Sequence, residues 1–265
     1  GSSAMIPEVT QSAAKTVEKA SNGAQVKSAV RVLDLLEYAQ RIQRPFKAVE
    51  LRSALNWPAS STQMILETVV ESGYLIFNSE TKQYFPSPRV VTLGEWLGNP
   101  GGDLSGATDV LNEIAEETGE TVTFSIENNY SAQCVKVVPG RKPTPVDILE
   151  GLRAPLTCSA AGLATLMAKS DGQALSIVKK SRELSPFARD SYSRTIETVH
   201  QFRREGRALV YGRLWPESCW ISVPVKKTYN KVPITISAGG DIATMRRRED
   251  TVTHAMLSAI SRWCA

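Results

Sequence analysis

The feature that most constrains this chain is a change of hydrophobic period at Gly73. Before it, apolar residues recur at helical spacing; after it, they alternate. Val26, Ala29, Val30, Leu33 and Leu36 form one apolar stripe of a helix over Val26–Ala39. A second short helix runs from about Phe46 to Leu55, with Val49, Leu51 and Leu55 facing inward. Asn56-Trp57-Pro58 then makes a turn, because proline fixes φ and offers no N–H to a preceding helix. Ser60-Ser61-Thr62 brings capping hydroxyls to a third helix, Thr62 to Ser72, whose Ile65, Leu66, Val69 and Val70 face inward. Gly73 suits the left-handed residue that follows a helix. Tyr74–Phe77 and Gln83–Phe85 read as two strands joined by the polar turn Asn78-Ser79-Glu80-Thr81-Lys82. Three helices and a hairpin make a winged helix-turn-helix over residues 25–87.

A further helix, Pro88 to Leu97, leads into the Asn99-Pro100-Gly101-Gly102 break, so residues 88–101 read as a linker helix and hinge. Residues 102–265 alternate between the two periods. Helices are expected at Leu104–Thr118, Ser159–Lys169, Gln173–Lys180 and Ser191–Glu205. Strands are expected at Thr121–Ile126, Gln133–Val138, Pro145–Glu150, Trp220–Val225 and Pro233–Ser237. A long helix, Ile242–Trp263, closes the chain and carries Arg246-Arg247-Arg248 as a solvated or interface face. The class is α+β, with helices layered on an antiparallel sheet.

Composition narrows the functions. A net charge of +4 and a pI near 8.9 are compatible with nucleic acid as a partner. Cys134, Cys158, Cys219 and Cys264 are scattered, and only His200 and His254 are present, so neither a zinc site nor a secreted disulfide framework is expected. That usage points to a reducing cytoplasm. No apolar run reaches membrane-spanning length, and residues 1–24 read as a polar, loose arm opening on a Gly1-Ser2-Ser3-Ala4 tag remnant. A thiol nucleophile made from Cys158 or Cys219 with His200 or His254 has no supporting spacing, and no P-loop or dinucleotide fingerprint follows a strand. No enzyme activity, cofactor or metal is expected.

Two sets of ordered motifs carry a resemblance, the first half contributing Lys27-Ser28-Ala29-Val30-Arg31-Val32-Leu33, Leu55-Asn56-Trp57-Pro58-Ala59-Ser60-Ser61-Thr62 and Glu71-Ser72-Gly73-Tyr74-Leu75. The second half contributes Glu117-Thr118-Gly119-Glu120-Thr121-Val122, Pro155-Leu156-Thr157-Cys158-Ser159-Ala160-Ala161-Gly162 and Ile221-Ser222-Val223-Pro224-Val225. From Val26 onward the chain resembles the IclR (isocitrate lyase regulator) family of bacterial transcriptional regulators. The resemblance implies a homodimer or dimer of dimers, operator DNA read by the third helix, and an effector pocket in a GAF-like C-terminal domain. One departure stands out. Members usually carry an arginine in the middle of the recognition helix, where this chain has Met64, and this helix contains no Lys or Arg.

Duplex DNA demands positive charge for its phosphates and side chains for its base edges. Ser60, Ser61, Thr62 and Gln63 open the recognition helix, where hydroxyls reach phosphate or bases and an amide pairs with adenine. Arg31, Lys47 and Lys82 are the candidates for phosphate contacts.

In the second half, Thr157, Cys158, Ser159, Ala160 and Ala161 lie at a helix start, whose free N–H groups and partial positive charge favour a carboxylate. By resemblance, Cys219, Trp220 and Ser222 on one strand and Thr235 and Ser237 on the next stand opposite it, and Trp215 with Trp220 offers an aromatic wall. Strand alternation sets Ile234 and Ile236 on the core side and the two hydroxyls on the other. Such walls suit a small organic acid, aromatic acids included. The other reading open at this point is a C-terminal domain that only assembles the protein and binds no ligand.

Overall fold

The computed structural model describes residues 25–95, 97, 104–184 and 190–265. These fall into two compact units, one within Gly23–Pro100 and one from Leu104 onward. The expected arm over residues 1–24 and the hinge at Asn99–Gly102 lie outside the described residues.

The first unit contains α1 (Lys27–Ile42), α2 (Ala48–Leu55) and α3 (Ala59–Glu71), then the hairpin β1 (Leu75–Asn78) and β2 (Gln83–Pro86), then α4 (Arg89–Glu95). Its core gathers Leu35, Tyr38, Phe46, Leu51, Trp57, Leu66, Val69, Leu75 and Tyr84. Phe46 is the centre of it. Its ring meets Tyr38 edge-on at 5.3 Å, and its backbone bridges Tyr84 through N–H···O contacts of 3.0 and 2.8 Å. The loop before α2 is thereby tied to the hairpin.

Helix ends follow from local chemistry. Gln43 and Asn56 take left-handed backbone angles (φ 51° and 52°) and return their N–H groups to Ala39 and Arg52. Glu50 accepts from the Lys47 N–H at 2.8 Å, capping the start of α2. In the hairpin turn, the Asn78 carboxamide accepts from the N–H groups of Glu80 and Thr81 at 2.9 and 3.1 Å.

Two inward faces differ from expectation. On α1 the buried residues are Leu35, Tyr38 and Ala39, whereas Val26 and Leu33 are 67 % and 61 % exposed. Both stripes have helical spacing, and the aromatic contact of Tyr38 with Phe46 selects between them. On α2, Val49 faces outward.

The second unit is built on six antiparallel strands in the order β5-β4-β3-β8-β7-β6. They are β3 (Thr121–Asn128), β4 (Ser131–Val138), β5 (Arg153–Pro155), β6 (Ala208–Tyr211), β7 (Ser218–Tyr229) and β8 (Val232–Asp241). Helices α5 (Ala107–Thr118) and α10 (Glu249–Cys264) cover one face, burying Leu111, Ile114, Phe124, Ile221, Ile236 and Met256. Helices α6 (Ala160–Met167), α7 (Asp171–Leu184) and α8 (Tyr192–Glu205) cover the other, with Leu163, Val178, Val199 and Phe202. Sheet and helices place apolar residues on both faces, which accounts for the near-continuous burial of β8.

Three expectations are corrected here. Pro145–Glu150 forms no strand; Pro143 and Pro145 remove ladder donors, and the edge position beside Ser131–Gln133 is taken by β5. Strand β6 was not expected from the sequence. Finally, the closing helix breaks into α9 (Ile242–Met245) and α10, so Arg246–Arg248 occupy a junction rather than a helical face. Arg246 lies 5.2 Å from the Tyr211 ring centroid, and Arg248 reaches the nearly fully buried Glu120 at 2.8 Å, where Lys142 also bonds at 2.6 Å. Burial raises the Glu120 carboxyl pKa, against the lowering pull of Arg248.

Candidate functional site

In the first unit, the outward face of α3 carries Ser60, Gln63, Met64 and Glu67, with Gln63 Nε2 donating to Glu67 Oε1 at 2.8 Å. Ser61 and Thr62 behave differently from their neighbours. Both hydroxyls donate back to the Pro58 carbonyl, at 3.2 and 2.8 Å, and Thr62 is buried. Thr62 therefore bonds back to the preceding turn and packs in the core without capping the helix, while Ser60 and Gln63 lie on the exposed face. Arg31 stands 5.4 Å from the Trp57 ring centroid, Lys47 is exposed ahead of α2, and Lys82 is exposed at the wing tip with φ 56°. Lys82→Ala is expected to weaken binding to all duplexes about equally and to reduce the slope of log affinity against log salt by about one unit, measured by anisotropy titration. A sequence-dependent loss would show that Lys82 touches bases.

In the second unit, the sheet and α6 enclose a small cavity of about 50 Å³ that opens to solvent at its mouth. Thr123 and Ser125 of β3, Cys134 of β4, Ser237 of β8 and Trp220 of β7 supply the sheet side. Cys158, Ser159, Ala160 and Ala161 supply the helix side, and Arg213, Leu214 and Trp215 come from the loop after β6. Ile148 and Leu152, from the irregular segment before β5, complete the lining. Alternation explains the hydroxyl face: Thr123 and Ser125 turn toward the cavity while Val122 and Phe124 join the opposite core.

Seven of the ten expected effector residues meet here: Cys158, Ser159, Ala160, Ala161, Trp215, Trp220 and Ser237. Cys219 does not. It neighbours Trp220 in a strand, so it points to the other face and packs with Ile221 and Met256. Thr157 and Thr235 are buried and do not line the cavity, and their hydroxyls find no hydrogen-bond partner among the described residues. Several lining residues escaped the sequence reading. The alternation Thr121-Val122-Thr123-Phe124-Ser125 carried a signal for two of them; Arg213, in a loop after an unexpected strand, carried none.

The cavity is weakly polar with one cation. Ser159 is committed to the backbone, donating to the Pro155 carbonyl at 2.7 Å and accepting from Gly162 N–H at 3.0 Å. Ser237 donates to Ser222 at 2.9 Å. The indoles of Trp215 and Trp220 lie 6.3 Å apart, centroid to centroid, and Trp220 Nε1 has no hydrogen-bond partner among the described residues. Arg213 pairs with Asp190. Burial pushes the thiols of Cys134 and Cys158 up to about 12 and about 11, the latter pulled back partly by Arg213.

Neither His200 nor His254 lines this cavity; His200 Nε2 lies 2.8 Å from Asp171 Oδ2 on the outer helices. Among the described residues no group of three or more His, Cys, Asp or Glu is placed to hold a metal ion, and no helix is long and apolar enough to cross a membrane.

Residues 104–264 match the family described as bacterial transcriptional regulator IclR, C-terminal. The chain is similar in structure to the Thermotoga maritima IclR, with a TM-score of 0.62 at 16% identity over 91% of this chain and 99% of that one. It is also similar to an IclR-type regulator from Alicyclobacillus acidocaldarius (TM-score 0.58, 18% identity, 91% and 100% covered). An IclR family transcriptional regulator from Brucella abortus gives a TM-score of 0.56 at 19% identity, with 90% and 92% covered. No curated protein matches. At these identities the structural likeness establishes a shared fold across both units.

Proposed function

The chain belongs to the IclR family of bacterial transcriptional regulators, and from that membership we propose a ligand-responsive, DNA-binding regulator. Its winged helix binds operator DNA. Its second unit takes up a small organic acid, aromatic acids included, and changes operator affinity. The observation that carries the ligand half is the cavity itself: hydroxyls and the Cys134 thiol on the sheet side, Cys158 on the helix side, two indoles, and Arg213 as its charged lining residue.

The first-turn N–H groups of Ala160 and Ala161 support an anion at the same place, because a helix start leaves such donors without intrahelical acceptors. The protein acts as a homodimer or dimer of dimers, matching two winged helices to two half-sites. Ligand then shifts the balance between quaternary arrangements by its difference in affinity for them, and by no more than that.

Calorimetry on the full chain with matched acid and carboxamide pairs, benzoate with benzamide and hexanoate with hexanamide, tests this. The acids are expected to bind more tightly, and Arg213→Gln is expected to lower acid affinity about tenfold while leaving the amides unchanged, as for loss of one charged hydrogen bond. Equal binding of acid and amide removes the anion from the reading. No binding by any compound of such a panel favours a domain that only assembles the protein.

A further inference from the structure

We propose that Met64 reads the C5-methyl group of a thymine, so that the operator is recognised in part through an apolar contact. The inference rests on the reading that α3 enters the major groove. Met64 is 68 % exposed, more than any other large apolar side chain among the described residues. A lone exposed methionine on a protein surface means little. Its surroundings give this one meaning.

At 100° per residue, α3 divides cleanly. Thr62, Ile65, Leu66 and Val69 are buried, and Ser60, Gln63, Met64 and Glu67 share the opposite side. That side holds a hydroxyl, an amide, a carboxylate and a thioether, and the helix has no lysine or arginine anywhere. Guanine, whose O6 and N7 acceptors are read by arginine or lysine, has no such partner on α3. Thymine is the one base that presents a methyl group in the major groove, and an apolar side chain is its complement. An unbranched, polarisable thioether adapts well to such a contact.

Gln63 extends the same logic. Its amide nitrogen gives one N–H to Glu67, leaving the second N–H and the carbonyl oxygen for the N7 and N6 positions of adenine. Glu67 thereby orients the amide. Neighbouring Gln63 and Met64 favour an A·T-containing step, while attraction to phosphates comes from outside α3, from residues such as Lys47 and Lys82.

Selection of duplexes from a random pool by the purified full-length chain supplies the operator, and replacing each of its thymines by deoxyuridine, which pairs identically but lacks the methyl, tests the contact. One thymine per half-site is expected to be sensitive, its loss weakening wild-type binding about fourfold, the worth of one buried methyl group. Met64→Ala is expected to bind the two duplexes equally, with an unchanged salt slope, and Met64→Leu to keep the preference. Equal binding of both duplexes by the wild type at every position would overturn the proposal. So would an Met64→Ala protein that still discriminates, or one that changes only its oligomeric state, which would assign the side chain to a protein contact. If selection enriches no sequence at all, DNA binding by this unit fails first, a result distinct from indifference to the methyl.

Discussion

Phe46→Ala is expected to unfold the winged-helix unit and with it the proposed DNA binding, while the second unit stays folded. The ring is fully buried, meets Tyr38 edge-on and stacks near Tyr84, and the same residue carries the backbone bridge to the hairpin. Removing a buried phenylalanine costs about 3–5 kcal/mol. A unit this small buries proportionally less surface than a large one and has little stability in reserve. Scanning calorimetry of the full chain should show the transition of the first unit lost and that of the second unchanged. If both move together, the two units unfold as one and do not hold their stability separately.

Gly162→Val is expected to disable the cavity. A Cβ at Gly162 would stand 2.4 Å from Leu156 Cα and 2.5 Å from the Pro155 carbonyl oxygen, both main-chain atoms that cannot swing aside. Helix α6 must lift from the turn that precedes it, carrying Cys158–Ala161 out of the lining. Overpacking of this kind costs about 1–3 kcal/mol, and the proposed acid binding should fall by about fivefold or more. Gly172→Ala is the control. Nothing lies within 4 Å of a Cβ there, and the residue is exposed on α7, so stability should hold or rise by up to about 1 kcal/mol. Normal melting and normal ligand affinity in Gly162→Val would show that α6 has room to spare.

These contrasts show what local sequence can and cannot convey. The hairpin was legible because Gly73 and the Asn78 turn fix it within a few residues, without help from the rest of the fold. The face of α1 was not, because two stripes share helical spacing and only the meeting of Tyr38 with Phe46, eight residues on, chooses one. Pro145–Glu150 has apolar residues enough for a strand, but two nearby prolines remove donors and an edge pairing forms later in the chain. At the cavity, the turn before α6 was legible from its hydroxyls and small residues. Cys219 and Trp220 were both placed there, although adjacent strand residues face opposite ways; only the register with β8 decides which one faces inward. Thr62 looked like its neighbours until its hydroxyl found the Pro58 carbonyl. Arg213 could be recognised only once distant strands had closed around it.

The two thiols in the cavity have a consequence for reactivity rather than for affinity. With Cys134 and Cys158 held at about 12 and about 11, roughly one in ten thousand or fewer is ionised near neutrality. Peroxides and electrophiles attack the thiolate, so these sulfurs are poor targets. Electrophiles that enter the cavity are expected to leave both sulfurs unmodified at neutral pH, a slow-alkylation result that mass spectrometry reads directly.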